Sequence, residues 1–588
     1  MEADLDRDRL LAGAGDLDAA ACLDAGRRLA RAVGVGRCPF LDQYGVACEA
    51  DFKRRAMAEG RITLHAQIGF RDPDKSRRAW AEIYNALDRA GHAVHRYGIC
   101  LDWSMGYPTD RRGRLGRGTG LILDGPEDFA RLTAEAPVAP HFGDFVIGLP
   151  AAVENTAAAL AAGATVVGNL GQYFTFRMPQ WDDDIGTTAA TVTAIALLGA
   201  QPVECLVHSN LDDGFAALFT DLACSFGAVL IERHVVEELI GARVTHCYGN
   251  TFADGPRRLA FLLALAGAGG APGSMVYGNT TAYGADEDAN WANLAAYFLV
   301  DVLGQRMTPT GHALNPVPVT EALRIPDIDE VIAAHLAANR LIERADGLRP
   351  LFDETPARAM ADEITAGGER FRDNVLDGLD AAGIDIRDPA RLLLALRRIG
   401  AKRLEERFGP GAADPARRRG RVPLVPAPSI AEIERDGAAR VAGLDAETRD
   451  RLAAADLTGM VVSTDVHEYG KILIDTVLDA AGVAALDGGT HGDAASIVTA
   501  AAAGSADFIA VSTYNGVALD YLDDLRAAMD AAGLDIPVFI GGKLNQVPDG
   551  SNTSLPVDVS AVLGERGAIV CARPEDMLRH LAGLTNER

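Results

Sequence analysis

The sequence predicts an α/β protein in three parts. These are an N-terminal (β/α)8 barrel of the TIM type over residues 1–325, a helical linker or extension over 326–452, and a C-terminal doubly wound, flavodoxin-like sheet over 453–588. Three observations predict it. Between about residue 60 and about residue 305, short β-type runs alternate with helical stretches about eight times, the pattern of a closed parallel barrel. Beyond about residue 325 the strand signals stop and charged helical runs take over. From about residue 453 onwards, five β-α units follow one another. A chain of 588 residues is too long for one core, so a division into domains is expected in any case.

In the first part, strands are expected at 62–68, 92–99, 144–148, 164–168, 202–207, 229–231, 243–247 and 274–277. Ala-rich or amphipathic stretches at 75–90, 151–162 and 286–303 supply helices between them. A parallel barrel presents its chemistry at the C-terminal ends of its strands. The residues there are polar or aromatic: Gln67, Arg96, Asn169, Gln172, Tyr173, His208, Asn210, His246, Tyr248, Asn250, Tyr277 and Asn279. Of these, Arg96, Tyr173, His246 and Tyr277 are the candidate catalytic residues. Arg96 is either a carboxylate clamp or a strand-end salt bridge. His246 is either a pocket hydrogen-bond donor or a satisfied core histidine.

The middle part carries helical runs at 327–345 and 389–408. The stretch 417–428 is basic and then Pro-rich, as suits a strap between domains. In the last part, strands are expected at 459–463, 483–486, 508–512, 537–540 and 568–571. Helices are expected at 471–481, 494–503, 517–532 and 574–581.

Composition excludes several function classes. The formal net charge is −26, which argues against a nucleic-acid partner because phosphate neutralisation needs clustered Lys and Arg. The short basic run Arg111, Arg112, Arg114 and Arg117 is either a solvated loop or an anion-binding loop. Eight cysteines with no C-x-x-C pair fit a reducing compartment and show no zinc spacing. The acidic start MEADLDRDRL lacks the apolar region of a signal peptide, and no apolar run is long enough to span a bilayer. A cytoplasmic enzyme without a membrane partner is expected, assembled as a homodimer.

The motif that carries chemistry is Asp465-Val466-His467-Glu468-Tyr469-Gly470, D-x-H-x-x-G, between a strand and a helix. In a doubly wound sheet, ligands bind outside the carboxyl ends of the strands. A histidine ligates metal through one ring nitrogen while the other donates to a carboxylate; His467 and Asp465 have that spacing. Gly470 opens the next helix where a ligand would lie against backbone. Ser512-Thr513-Tyr514 follows the third strand of this part and Gly541-Gly542 the fourth. A Gly pair admits close approach of a bulky group, and a serine can hydrogen-bond a polar tail.

These elements, in this order, resemble the cobalamin-binding domain of methionine synthase and the carbon-skeleton mutases. The resemblance implies that His467 is the lower cobalt ligand in place of the cofactor's own benzimidazole, with Asp465 as its hydrogen-bond partner. Ser512 and Gly541-Gly542 would line the groove for the displaced nucleotide tail. Thr464, Val466, Glu468, Thr513 and Tyr514 would complete the cofactor-binding set. That family often has Leu two residues after the serine, where this chain has Tyr514.

The N-terminal part is similar, more distantly, to the catalytic subunit of glutamate mutase and the barrel of 2-methyleneglutarate mutase. The similar stretches are 59–70 (EGRITLHAQIGF), 244–255 (VTHCYGNTFADG) and 303–307 (LGQRM). The resemblance implies adenosylcobalamin and a radical rearrangement of a small carboxylic acid. In such chemistry the protein supplies orientation, electrostatics and exclusion of water. Tyr277 and Thr281 stand where glutamate mutase has charged residues, so glutamate itself is a poor match. Two other readings stay open: a corrinoid methyltransferase, and a non-catalytic cobalamin carrier or sensor.

Overall fold

Eight short strands run through the N-terminal half: β1 (Thr63–Ile68), β2 (Arg96–Ile99), β3 (Ala139–His141), β4 (Val166–Val167), β5 (Leu206–Asn210), β6 (Arg243–Tyr248), β7 (Met275–Val276) and β8 (Ala313–Leu314). The computed structural model describes residues 5–584 except 113, 115–117, 119, 179, 213–218, 249–253, 279–281, 418, 465–467, 491–492, 515 and 547–556. The strands form two four-stranded parallel sheets, β3-β2-β1-β8 and β4-β5-β6-β7. A parallel bridge between Phe142 and Val167 joins the β3 edge to the β4 edge.

Two expected strands are corrected here. Residues 229–231 lie inside the helix Leu222–Arg233, which buries Leu222, Phe226, Val229 and Ile231 and also its Ala, Cys, Ser and Gly positions. A helix buried nearly all round has no polar face, so its apolar run reads like that of a buried strand. Residues 144–148 form no strand; the third strand is Ala139–His141, a few residues earlier. Three strands, β4, β7 and β8, are only two residues long, and β8 carries no periodic signal.

The C-terminal half contains β9 (Thr458–Ser463), β10 (Ala484–Thr490), β11 (Phe508–Thr513), β12 (Val538–Gly542), a small antiparallel pair β13 (Asn545–Gln546) and β14 (Val557–Asp558), and β15 (Ile569–Cys571). The main sheet is parallel with order β10-β9-β11-β12-β15, the 2-1-3-4-5 order of a doubly wound sheet with its switch point between β9 and β11.

Its sequence explains why it is covered on both sides. Met460, Val462, Ile509, Val511, Val538 and Ile540 point into one apolar core with Ile497, Leu522 and Leu525. The residues between them, Val461, Phe508, Ala510 and Phe539, point into a second core with Val477, Leu478 and Leu578. Side chains alternate between faces in a strand, so two buried faces need a continuous apolar run.

The chain divides into two compact units, one formed by most of residues 5–428 and the other chiefly by residues 429–584. Helices Ile328–Leu348, Thr355–Ala381 and Pro389–Phe408 belong to the first, and Ala446–Ala454 to the second. In the helix Pro389–Phe408, Gly400 has φ +78° and breaks the regular turn; positive φ is where glycine is favoured. No helix among the described residues is long and apolar enough to cross a membrane.

Candidate functional site

In the second unit, the face that carries Phe508 and Phe539 changes character towards the strand ends. Along β11 its side chains shrink from Phe508 to Ala510 to Ser512, and along β12 from Phe539 to Gly541. Ser463, Ser512, Gly541 and Cys571 are in register across four neighbouring strands. Where large residues give way to small ones, the apolar core opens into a cavity of about 310 Å3. Gly470, Ser512, Gly541 and Gly542 line it, with Leu473 and Ile474 from the helix Tyr469–Ala480 and Met577 from the helix Pro574–Leu584.

The glycines are what keep it open. A β-carbon at Gly470 would lie 2.3 Å from Ser512 Oγ, and one at Gly541 would lie 2.9 Å from the Cys571 carbonyl oxygen. Gly542 has φ +104°, and its β-carbon would meet the Thr513 carbonyl oxygen at 2.2 Å. Side chains at these positions would fill the groove or force the backbone aside.

Two arginines stand among the lining residues, Arg440 and Arg573. Arg440 Nη1 holds both Glu575 oxygens at 3.0 and 3.1 Å, and its Nε donates to Asp436 at 2.7 Å. Neither arginine shows a local sequence signal that sets it apart from a surface cation. Burial pushes the Cys571 thiol up to about 11, so it lines the cavity as a neutral thiol.

The structure thus brings Gly470, Ser512, Gly541 and Gly542 together. Four other expected residues are outside the cavity lining. Thr464 is buried and its backbone N–H donates to the Ser512 carbonyl at 2.9 Å. Thr513 is buried, with its carbonyl accepting from the Lys543 N–H at 2.8 Å. Tyr514 is exposed, with Lys543 Nζ 4.2 Å from its ring centroid. Glu468 is the N-cap residue of the helix Tyr469–Ala480. Asp465, Val466 and His467 lie outside the described residues, as do Asn250, Asn279 and Thr281.

In the first unit, β1 presents His65 and Gln67 on one side, and its register pairs His65 with Arg96 and Gln67 with Gly98. His141 is in register with Gly98. The ring of His141 is 4.5 Å from that of His208 and 6.4 Å from that of His65, and Tyr277 sits 6.0 Å from His65. His65 Nε2 and Gln67 Oε1 are 2.8 Å apart. Burial, then the Arg96 charge, push His65, His141 and His208 well below the ordinary imidazole value. Of this face the sequence marks Gln67, Arg96, His208 and Tyr277 as strand-end residues but not His65 or His141, although His65 and Gln67 stand two apart in a strand and therefore share a side.

The four candidate catalytic residues are not gathered in one place. Arg96 begins β2 rather than following it, and its Nε lies 3.0 Å from Glu49 Oε1 in the helix Glu49–Ala58. His246 faces the helix Leu222–Arg233, where its Nε2 is 2.9 Å from Glu232 Oε2. It is in register with Ser209, whereas His208 belongs to the opposite side of the same sheet. Tyr277 is 3.5 Å from Gln67 Oε1 through its hydroxyl. Tyr173 lies in the short helix Gln172–Thr175 and is buried, with its carbonyl accepting from Arg397 Nη1 at 2.6 Å. Burial raises both tyrosine hydroxyls well above the usual phenol value. Among the described residues, no group of three or more His, Cys, Asp or Glu side chains is placed to hold a metal ion.

No protein-family model and no curated protein matches the chain. Among solved structures, the chain is similar to one described as a novel cobalamin-binding protein from Desulfitobacterium hafniense DCB-2. The similarity covers 26% of this chain and 69% of that one, at 23% identity and a TM-score of 0.20. A likeness of that size carries no argument about function.

Proposed function

We propose that the second unit binds a cobalamin, and that the protein is an adenosylcobalamin-dependent isomerase that rearranges the carbon skeleton of a small carboxylic acid. The observation that carries the reading is the glycine-lined groove at the strand ends of a 2-1-3-4-5 sheet, with Gly470, Ser512, Gly541 and Gly542 converging on it. Ligands of doubly wound sheets bind at the carboxyl ends of the strands, and a cavity of about 310 Å3 is of the size that takes a small organic group.

The residues present fit the cofactor's nucleotide tail. The walls from Leu473, Ile474, Phe539 and Met577 are apolar, while Ser512, Arg440 and Arg573 offer donors to polar and phosphate oxygens. His467 would hold the cobalt, with Asp465 on its second ring nitrogen to set the tautomer. Bound adenosylcobalamin supplies radical chemistry that no side chain of the chain provides. In the first unit, eight strands closed into a barrel would orient the acid and exclude water.

The test is uptake followed by turnover. Full-length protein incubated with hydroxocobalamin and freed of excess should keep a coloured cofactor, and His467→Ala should lose it. Protein loaded with adenosylcobalamin should then convert a small carboxylic acid to an isomer of the same mass, read by mass spectrometry and carbon NMR. Transfer of a methyl group would point instead to a methyltransferase, and uptake without turnover to a carrier. A sample that stays colourless ends the reading.

A further inference from the structure

The side of the first unit that carries His65, Arg96 and His141 holds more unmet hydrogen-bonding capacity than a packed interior tolerates. Glu49 Oε2, Arg96 Nε, His65 Nδ1 and His208 Nδ1 are closed off from solvent and have no hydrogen-bond partner among the described residues. Buried polar groups nearly always find partners, so a cluster of orphans marks a place that water or a ligand completes.

The charges there do not balance. Arg96 Nε and Lys53 Nζ approach the same carboxylate oxygen, Glu49 Oε1, at 3.0 and 2.9 Å. The Arg96 contact is close but not aligned as a hydrogen bond, since its Nε stays without an acceptor. Two cations thus share one carboxylate, and all three side chains are about 4% exposed. A buried net charge is costly unless an opposite charge joins it.

The orphans also have definite roles. Gln67 Oε1 is an acceptor, so the proton of His65 sits on Nε2 and leaves a lone pair on Nδ1. Burial, then Arg96, keep that ring neutral. His65 Nδ1 and Glu49 Oε2 therefore both await a donor, while Arg96 awaits an anion. Between β2 and β3 the in-register pairs place a small residue beside each, Ala139 next to Arg96 and Gly98 next to His141.

We propose that this face binds a small hydroxy acid bearing one carboxylate, with the carboxylate on Arg96 and the hydroxyl donating to His65 Nδ1. The proposal rests on the reading of the protein as acting on small carboxylic acids, and it narrows that class. An amino acid would bring an ammonium to a face already rich in cations. A dicarboxylate would bring two negative charges where Arg96 and Lys53 leave at most one positive charge in excess, burial drawing the Lys53 ammonium below its ordinary value.

Isothermal titration calorimetry of the full-length chain with lactate, propionate, alanine and succinate tests this. Lactate is expected to bind about tenfold more tightly than each of the others. Arg96→Gln should abolish lactate binding. His65→Phe keeps a planar ring but removes the acceptor, so lactate should fall to the affinity of propionate, with propionate unchanged. Lactate binding no tighter than propionate overturns the proposal, as does a preference for alanine or succinate, silence from all four, or full affinity in Arg96→Gln. If Arg96→Gln does not fold, the ligand series and His65→Phe still decide. Cobalamin uptake is read from visible absorption of the same samples. Uptake without lactate binding sinks this inference alone, and lactate binding without uptake sinks the cobalamin reading alone.

Discussion

Gly470 and Ser512 approach so closely that a β-carbon on the glycine would lie 2.3 Å from the serine Oγ. One belongs to the first turn of the helix Tyr469–Ala480 and the other to β11, so the contact sets how near helix and sheet can come. Gly470→Ala is expected to turn the Ser512 side chain into the groove and to weaken hydroxocobalamin binding by about tenfold, about 1.4 kcal/mol. Ser512→Ala should relieve the crowding, so the double variant should bind better than Gly470→Ala alone. Equilibrium dialysis of the four proteins gives the coupling, and simple additivity of the two losses would count against the contact.

The pair His246–Glu232 is a structural bond between strand and helix, both side chains being almost wholly buried. Glu232→Ala strands His246 without this partner and should lower stability by about 1–3 kcal/mol, while Glu232→Gln, which keeps an acceptor, should lose less. Urea unfolding followed by circular dichroism checks the order of the two variants.

Arg258 and Asp301 form a second buried pair, two-pronged at 2.6 Å each. Arg258 also donates to the Tyr277 carbonyl and lies 4.9 Å from the Tyr297 ring centroid. Burial lifts the Asp301 carboxyl to about 6 in spite of the arginine. Removing one partner of such a pair leaves the other charged and unmatched, so Asp301→Ala should cost about 3–5 kcal/mol in the same unfolding assay.

Glu405 offers a pH test. Its carboxylate takes the Thr220 N–H at 2.9 Å, the Thr220 hydroxyl at 2.8 Å and the Asp221 N–H at 2.9 Å. Burial outweighs these bonds and nearby Arg419 and pushes it up from 4.5 to about 7. A raised carboxyl means the folded state holds the proton more tightly than the unfolded chain. Its contribution to stability is therefore full below the unfolded value and is lost as pH rises through about 7. The loss amounts to about 3 kcal/mol at 1.36 kcal/mol per unit. Glu405→Gln carries no such proton, so its stability relative to wild type should improve between about pH 5 and about pH 8 by up to that amount. Parallel stability curves for the two proteins would refute the assignment.

The doubly wound sheet can be read from residues because four of its strands are short apolar runs stopped by Ser, Thr, Gly or Cys, with helical stretches between them, while the edge strand β10 has no buried residue and carries Asp487. Gly470, Ser512, Gly541 and Gly542 could be picked because they follow one another in order from D-x-H-x-x-G through successive strand ends, where glycine admits close approach and serine can hydrogen-bond. Arg440 and Arg573 could not, since an arginine reaches a groove by its length and leaves no pattern. In the N-terminal half the same rules misplace two strands and miss another: Val229 and Ile231 sit in a helix buried nearly all round, residues 144–148 form no strand, and Ala313–Leu314 is too short for any period. His246 was ambiguous for a different reason. One residue of offset along β6 decides which side of the sheet it faces, and only the register with Ser209 gives that.

The row Ser463, Ser512, Gly541 and Cys571 crosses four strands at one level. Moving β11 along by a single position would bring Val511 or Thr513 where Ser512 stands and plug the hollow with a branched side chain. Insertions or deletions within these strands are therefore forbidden in a way that point changes are not, and homologous chains should vary in length only between the strands.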